Sequence, residues 1–331
     1  MSRRFSIASV TVAYNAAAVL DRHLESLRNQ SRSLDEIIVV NNASTDRTSE
    51  ILSSHYPHIT LLDLSTNGGV AGGLSAGLAY AAIEKKHDWV WLFDQDSVPA
   101  DDALEQLLAA LGALQGIRED VAILAPLCVR ADGTVVCPPL SWHGPRLAPK
   151  TISDHLNVTF ADCVISSGAL IRGGAVAEVG LPVADFFMDF VDYEYCLRLR
   201  RHGHKIAVVH SSLLRHSLGA PSRFNILGRV KWWTDHAPWR EYYMIRNEIH
   251  TLWSYYPNWV IKAFTFYRLF RHIAEILLFG SNKLACLRMI SRGVRDGLAG
   301  RLGIRYSPDD LQPASADSQP AAQPSENALE T

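Results

Sequence analysis

Asp94 and Asp96 stand two positions apart where an apolar run, Trp89-Val90-Trp91-Leu92-Phe93, gives out. Five bulky residues between Lys85-Lys86-His87-Asp88 and Pro99 read as a buried strand. Alternate strand residues point the same way, so the spacing predicts two carboxylates projecting side by side from the strand's end. Carboxylates that close repel each other unless a cation or a shared proton lies between them. A hard divalent ion with oxygen ligands answers that repulsion, and a diphosphate is its usual companion. Acidic residues after strands also cap helices, and Asp101-Asp102 nearby is expected to do so.

A second acidic group, Asp189, Asp192 and Glu194, lies among Phe186, Phe187, Met188, Phe190, Tyr193 and Tyr195 and leads into a helical pattern. Capping and dipole compensation account for acids in a first turn. They do not account for the aromatic packing, which raises a carboxylate's proton affinity as a general base requires. His216 follows the expected strand Lys205–Val209. It is either a structural histidine or, beside a metal, a neutral imidazole ligand. Arg240 and Arg246 accompany Tyr242, Tyr243 and Asn247. Their planar donor forks suit diphosphate oxygens; an ion-paired surface helix is the plainer alternative. The glycines of Thr66-Asn67-Gly68-Gly69-Val70-Ala71-Gly72-Gly73 are misplaced for a dinucleotide fingerprint, which follows a first strand. Amides around Gly69 either approach a phosphate or sugar, or the loop is simply tight.

The frame for these residues is an alternation of strand and helix. Strands are expected at Phe5–Ala13, Glu36–Val40, Ile59–Leu64 and Trp89–Phe93. Helices are expected through Leu20, Leu24 and Leu27, near Thr48–His55, and over Leu74–Glu84. Repeated βα units imply an α/β fold with a mostly parallel sheet and helices on both faces. Ligands of such sheets gather beyond the strands' carboxyl ends, where every polar loop named above lies. Residues 130–160 are irregular and read as an excursion toward substrate. After Pro257, Trp259, Ala263, Phe266, Leu269, Phe270, Ile273, Ile276 and Leu277 recur at helical spacing. The division is therefore 1–225 for the α/β unit, 226–305 for basic, aromatic helices, and 306–331 for a disordered acidic tail.

The 48% hydrophobic and 20% charged content is that of a folded globular protein. The net charge of −2 hides an asymmetry: nine Lys or Arg against Glu275 and Asp296 between 258 and 305, then five acids and no base from Tyr306. A basic stretch that local, with no base-reading module, argues against nucleic acid. It suits a membrane surface, or equally the solvated face of helices packed on the core. Five cysteines without CxxC spacing predict reduced thiols. Met1-Ser2-Arg3-Arg4 leads into a strand rather than a signal peptide, and no apolar run approaches the roughly 20 residues of a span. A cytoplasmic protein is expected, peripheral at the inner face of the membrane if the helices touch it.

Together these segments resemble the inverting GT-A glycosyltransferases of the large family two class, from about Ser6 to Gly303. The broad class is carried by Val12-Ala13-Tyr14-Asn15, Asn41-Asn42-Ala43-Ser44-Thr45-Asp46 and Phe93-Asp94-Gln95-Asp96-Ser97. Ile165-Ser166-Ser167-Gly168 carries the resemblance too, and the Asp-Gln-Asp-Ser form, with Phe187–Glu194 and the block from His236 to Asn247, is similar to bacterial rhamnosyltransferases using dTDP-L-rhamnose. The resemblance implies a donor pocket of Val12, Ala13, Tyr14, Asn41, Asp46, Gly69, Asp94, Gln95, Arg240 and Arg246. It implies Mg²⁺ or Mn²⁺ on Asp94, Asp96 and His216, with Asp192 deprotonating the acceptor, a glycolipid or lipid-linked saccharide. Asn41 departs from the usual Asp of the Asp-Asn pair, which loosens the choice of nucleotide. Another donor, UDP-galactofuranose or UDP-glucose, and a non-catalytic partner in polysaccharide assembly are the competing readings.

Overall fold

The computed structural model describes residues 4–306 apart from 115, 118–119, 131, 153–156, 216–221 and 227–228. His216 and the tail beyond 306 thus lie outside the described residues. The chain runs β1 (Ile7–Ala13), α1 (Leu20–Arg28), β2 (Glu36–Asn41), α2 (Thr48–His55), β3 (Thr60–Asp63), α3 (Gly69–Leu78), β4 (Trp89–Asp94), β5 (Val98–Pro99) and α4 (Ala103–Ala113). It continues through β6 (Val121–Val129), the hairpin β7 (Leu140–His143) and β8 (Arg146–Pro149), β9 (Val158–Ala161), β10 (Leu170–Arg172), α5 (Gly173–Val179), α6 (Val191–Arg201) and β11 (Lys205–Arg215). A second hairpin, β12 (Ser222–Ile226) and β13 (Arg229–Trp233), precedes α7 (Pro238–Tyr255), α8 (Trp259–Phe279) and α9 (Lys283–Leu298).

The main sheet has the order β3-β2-β1-β4-β10-β6-β11-β5, with β9 also on β11. β3, β2, β1 and β4 are mutually parallel, and β6 and β11 share their direction across the antiparallel β10. The expected mostly parallel α/β sheet is therefore present. Two apolar layers cover its faces, one around Val10, Val12, Val40 and Leu92, the other around Leu24, Leu27, Trp91 and Leu107. Near-continuous burial of β1 and β4 follows from those two layers.

Three details depart from the expected elements. α3 begins at Gly69, five residues before the alanine-rich run, and Ala79–Glu84 forms a π turn. Glycine is a poor helix former, but here close packing decides. A Cβ on Gly73 or Gly77 would lie 2.4 Å from Val12 or 2.2 Å from Val10, so only glycine lets this helix rest on β1. Asp102 does take the N-cap position of α4, yet its carboxylate accepts from the Gln106 side chain rather than a backbone amide. The 130–160 excursion is a hairpin whose Trp142 packs edge-on to Tyr256, with ring centroids 5.2 Å apart. All five cysteines are free thiols, and no helix among the described residues is long and apolar enough to cross a membrane.

Candidate active site

The ends of β1, β2 and β4 meet at one edge of the sheet, and their loops are stitched together. The Asn15 amide donates to Ser44 Oγ (3.0 Å), and the Thr45 amide donates to Asn15 Oδ1 (2.8 Å). Asp46 accepts from the Ala17 amide (3.1 Å) on one oxygen and the Thr48 amide (3.0 Å) on the other. Desolvation opposes those bonds, but the bonds win and hold the Asp46 carboxyl below its usual range. Asn41 donates to Ser49 Oγ and Asp63 Oδ1 and accepts the Ser44 amide; Asn42 is likewise spent on Asn67, Gly68 and Gly69. Both asparagines thus build the loops. Val12 and Ala13 are core residues, and Tyr14 is half-buried at the edge, its amide held by Gln95 Oε1 at 2.7 Å.

β4 stops at Asp94. Gln95 and Asp96 form a turn closed by the Ser97 amide donating to the Asp94 carbonyl (3.2 Å). The two acids therefore leave a turn, not one face of a strand as the spacing suggested. The pleat is interrupted because β5 must fold back to pair with β11. Beneath the turn, Ser97 Oγ and Ser167 Oγ lie 2.6 Å apart, and the Asp94 amide donates to Ser167 Oγ (3.3 Å). His23 is fully buried there, its ring nitrogens bonded to Thr11 Oγ1 (2.8 Å) and the Ser97 carbonyl (2.6 Å). Burial pushes its pKa down to about 4, against the pull of Ser97 and Asp96. A histidine neutral when folded takes up a proton more readily unfolded, so its contribution is present above pH 6.5 and lost as pH falls toward 4. Stability is expected to drop by about 2 kcal/mol between pH 7.5 and 5 from this group. Urea titrations at the two pH values should show that slope shrinking in His23→Gln.

The second acidic segment sorts its three carboxylates. Glu194 is buried against Arg198 (2.9 Å) and the Tyr255 hydroxyl. Asp189 binds the Arg240 fork through two 2.9 Å bonds. Asp192, in the first turn of α6, accepts from the backbone amides of Tyr193 (3.2 Å) and Ser166. It borders an apolar hollow with Leu92, Val164 and Ile165. Burial, then the neighbouring charge of Asp94, raise its pKa to about 6. The structure thus brings Asp192 to Asp94 from a segment almost a hundred positions away.

What places Asp192 is a strained loop. Phe187, Asp189 and Phe190 all have left-handed backbones, with φ of 64°, 57° and 63°. Each costs of order 1–3 kcal/mol unless its surroundings over-determine it. Here the surroundings are dense. The Asn247 side-chain amide reaches the carbonyls of Phe186, Met188 and Asp189 at 2.8–3.0 Å. The Arg246 guanidinium, fully buried, donates to the carbonyls of Asp185 (2.9 Å), Phe186 (3.0 Å) and Gly303 (2.6 Å). The Ala71 amide donates to the Phe187 carbonyl (3.0 Å), and a Cβ on Gly69 would lie 2.1 Å from that oxygen. Arg246 and Gly69, expected at the donor, are instead occupied by this loop, and Arg240 holds it through Asp189. Ser166, Ser167 and His23 join the site without having been given roles from sequence. The block holding the two serines was visible and His23 lay in an ordinary helical pattern, but nothing local signals contacts across 70 positions.

Residues 9–129 match the profile of Glycosyl transferase family 2. The chain carries a family 2 glycosyltransferase domain. The transferase is 24% identical over 299 residues to the dTDP-rhamnosyl transferase RfbF of Shigella flexneri, covering 90% of this chain and 97% of that protein. It is 26% identical over 228 residues to the galactofuranosyltransferase GlfT1 of Mycolicibacterium smegmatis, covering 67% of this chain and 74% of that one. Among solved structures, GalNAc-T7 with UDP, GalNAc and Mn²⁺ superimposes with a TM-score of 0.54 at 13% identity. That match covers 76% of this chain and about half (48%) of the GalNAc-T7 chain, and it places the transferase in the GT-A fold. Among the described residues no three His, Cys, Asp or Glu side chains close a metal site by themselves. Two carboxylates on one turn are still a fitting donor set for magnesium, which completes its shell with water and substrate phosphates.

Proposed function

We propose that this chain transfers L-rhamnose from dTDP-L-rhamnose to a hydroxyl of a glycolipid or lipid-linked saccharide, with inversion. The observation that carries a transferase mechanism is the pairing of Asp192, its proton affinity raised, with the Asp94–Asp96 turn. The rhamnose donor is supported by the similarity to RfbF over nearly that protein's whole length.

Asp192 takes the proton of the acceptor hydroxyl, whose oxygen forms a bond to the sugar's anomeric carbon. The bond from that carbon to the diphosphate breaks, and its electron pair leaves with the diphosphate. Attack from the opposite face turns a β-linked donor into an α-rhamnoside. Asp94 and Asp96 would hold Mg²⁺ or Mn²⁺ against the diphosphate. When bound, such an ion supplies compensation for the charge collecting on the leaving group. Tyr14, Asp46 and Gln95 form the nucleotide side, with Val12 and Ala13 as the floor beneath it. The similarity to GlfT1 favours UDP-galactofuranose as the second donor to test.

Purified protein, Mg²⁺, a membrane lipid extract and either labelled donor are incubated, and lipid products are identified by mass spectrometry. A rhamnosylated product is expected; a product with galactofuranose alone would overturn the donor assignment. EDTA is expected to lower turnover at least about a hundredfold, restored by Mg²⁺ in the wild type but not in Asp96→Ala. Undiminished turnover in EDTA would remove the metal from the scheme.

A further inference from the structure

α8 wears its apolar side outward. Trp259, Tyr267, Phe270 and Leu278 are 75%, 60%, 68% and 70% exposed, and Ala263, Ala274 and Leu277 continue the same stripe. Spacings of three and four put them on one side of the helix. Arg271 is the one charged residue among the exposed positions of α8. The opposite side, through Leu269 and Ile276, packs with Ile245, Ile249 and Ile290 of α7 and α9. A helix on a globular surface ordinarily shows the reverse. At 21 residues this one presents an apolar strip about 30 Å long.

Along the segment that carries the strip the exposed charge is of one sign; the exposed Asp235, bonded to the Ser281 amide past the helix, stands against it from outside that segment. From Trp259 to Tyr306 every exposed charged side chain is Lys or Arg, including Lys283 just past the helix, beside Leu284, itself 75% exposed. Glu275, half-buried, lies 3.7 Å from Arg271, and Asp296 is buried on the Tyr242 hydroxyl (3.0 Å). Aromatic and leucine side chains with a basic surround match the headgroup region of an anionic bilayer. A second copy would set the same positive charges against one another. Residues 307–331 hold only Leu311 and Leu329 as large apolar residues, too few for that stretch to cover the strip.

We propose that this face of α8 lies in the interface of a membrane carrying anionic lipids, its axis along the surface. The purpose, presenting a lipid-linked acceptor, rests on the reading above; the surface itself does not. α8 is tied to α7 by His272–Glu241 (2.6 Å) and Arg268–Glu248 (3.2 Å). α7 in turn carries the Arg240 and Asn247 that hold the loop before Asp192. A membrane-bound α8 would therefore fix the height of the reacting group above the lipid.

The test is flotation of the full chain with phosphatidylcholine vesicles, with and without phosphatidylglycerol, in the absence of donor and acceptor. The wild type should float, more strongly with phosphatidylglycerol. Phe270→Glu with Leu278→Glu should lower partitioning about tenfold or more. Both positions face outward, so the melting temperature should hold. Lys283→Glu with Arg288→Glu should remove the phosphatidylglycerol dependence. As a second readout, brominated acyl chains should quench a fluorescence component missing from Trp259→Phe. The proposal is overturned if the wild type stays with the soluble fraction, if the paired Glu variant floats like it, or if that variant instead splits a solution dimer. Donor turnover is measured in parallel. Flotation without turnover would count against the transferase reading alone, and turnover without flotation against the membrane surface alone.

Discussion

Asp192→Asn is expected to bind donor as the wild type does and to transfer sugar about 10²- to 10⁴-fold more slowly. The amide is nearly isosteric and its oxygen can still accept the Tyr193 amide bond, so the geometry of the turn should survive. What it lacks is an electron pair basic enough to take a proton. The same change is expected to stabilise the fold. A carboxyl with its pKa raised to about 6 when folded binds fewer protons unfolded, so its ionisation costs stability above pH 4 and most fully above pH 6. Removing that charge in metal-free buffer at pH 7.5 should raise stability by about 1–3 kcal/mol. Calorimetry gives the stability and single-turnover kinetics the rate. A variant both slow and less stable would mean that Asp192 is scaffolding, and near-normal turnover would remove it from catalysis.

The second large effect is expected at Arg246. Arg246→Ala takes its donor from the Gly303 carbonyl, leaves the Asp185 carbonyl to the Gly303 amide and the Phe186 carbonyl to Asn247 and the Met188 amide, and unloads two tyrosine rings that flank the guanidinium at 5.3 and 4.8 Å. Unpaired buried acceptors cost about 1–3 kcal/mol each where water cannot reach them. With that one acceptor, two weakened ones and the lost packing of a buried side chain, a loss of about 2–4 kcal/mol follows. Arg246→Lys should recover little, because an ammonium cannot serve three carbonyls in the fork's directions. Denaturant unfolding measures the loss, and a shift under about 1 kcal/mol would contradict it. Where the variant folds, catalysis should fall while donor affinity holds, since the loop before Asp192 loosens but the β1, β2 and β4 edge does not.

Much of this was legible in the residues. Alternating apolar runs gave β1, β2 and β4, because a doubly covered strand must be apolar throughout. The acids at 94, 96 and 192 stood out because carboxylates among aromatics are costly without a use. The burial of Gly73 and Gly77 against valines was not legible, since a glycine's sequence context does not say what will approach it. Nor were the uses of Arg246 and Asn41. An arginine or asparagine offers the same donors to a diphosphate as to a main-chain carbonyl, and only the fold decides which arrives first. The turn at Gln95-Asp96 was hidden for a related reason: strand periodicity predicts direction only while the strand lasts.

The left-handed backbones at Phe187, Asp189 and Phe190 set a rule for anyone recombining this protein with a relative. Three of their supports, Asn247, Arg246 and Arg240, lie C-terminal to residue 235, while the Ala71 amide holds the Phe187 carbonyl from the other side of the chain. A chimera that exchanged the helical segment alone would separate the loop from its clamps, and the proton acceptor would wander although no residue near it had changed. Crossovers placed in the 130–157 stretch would instead move the loop with those three clamps, leaving the Ala71 and Gly69 contact to be matched by the relative's own helix.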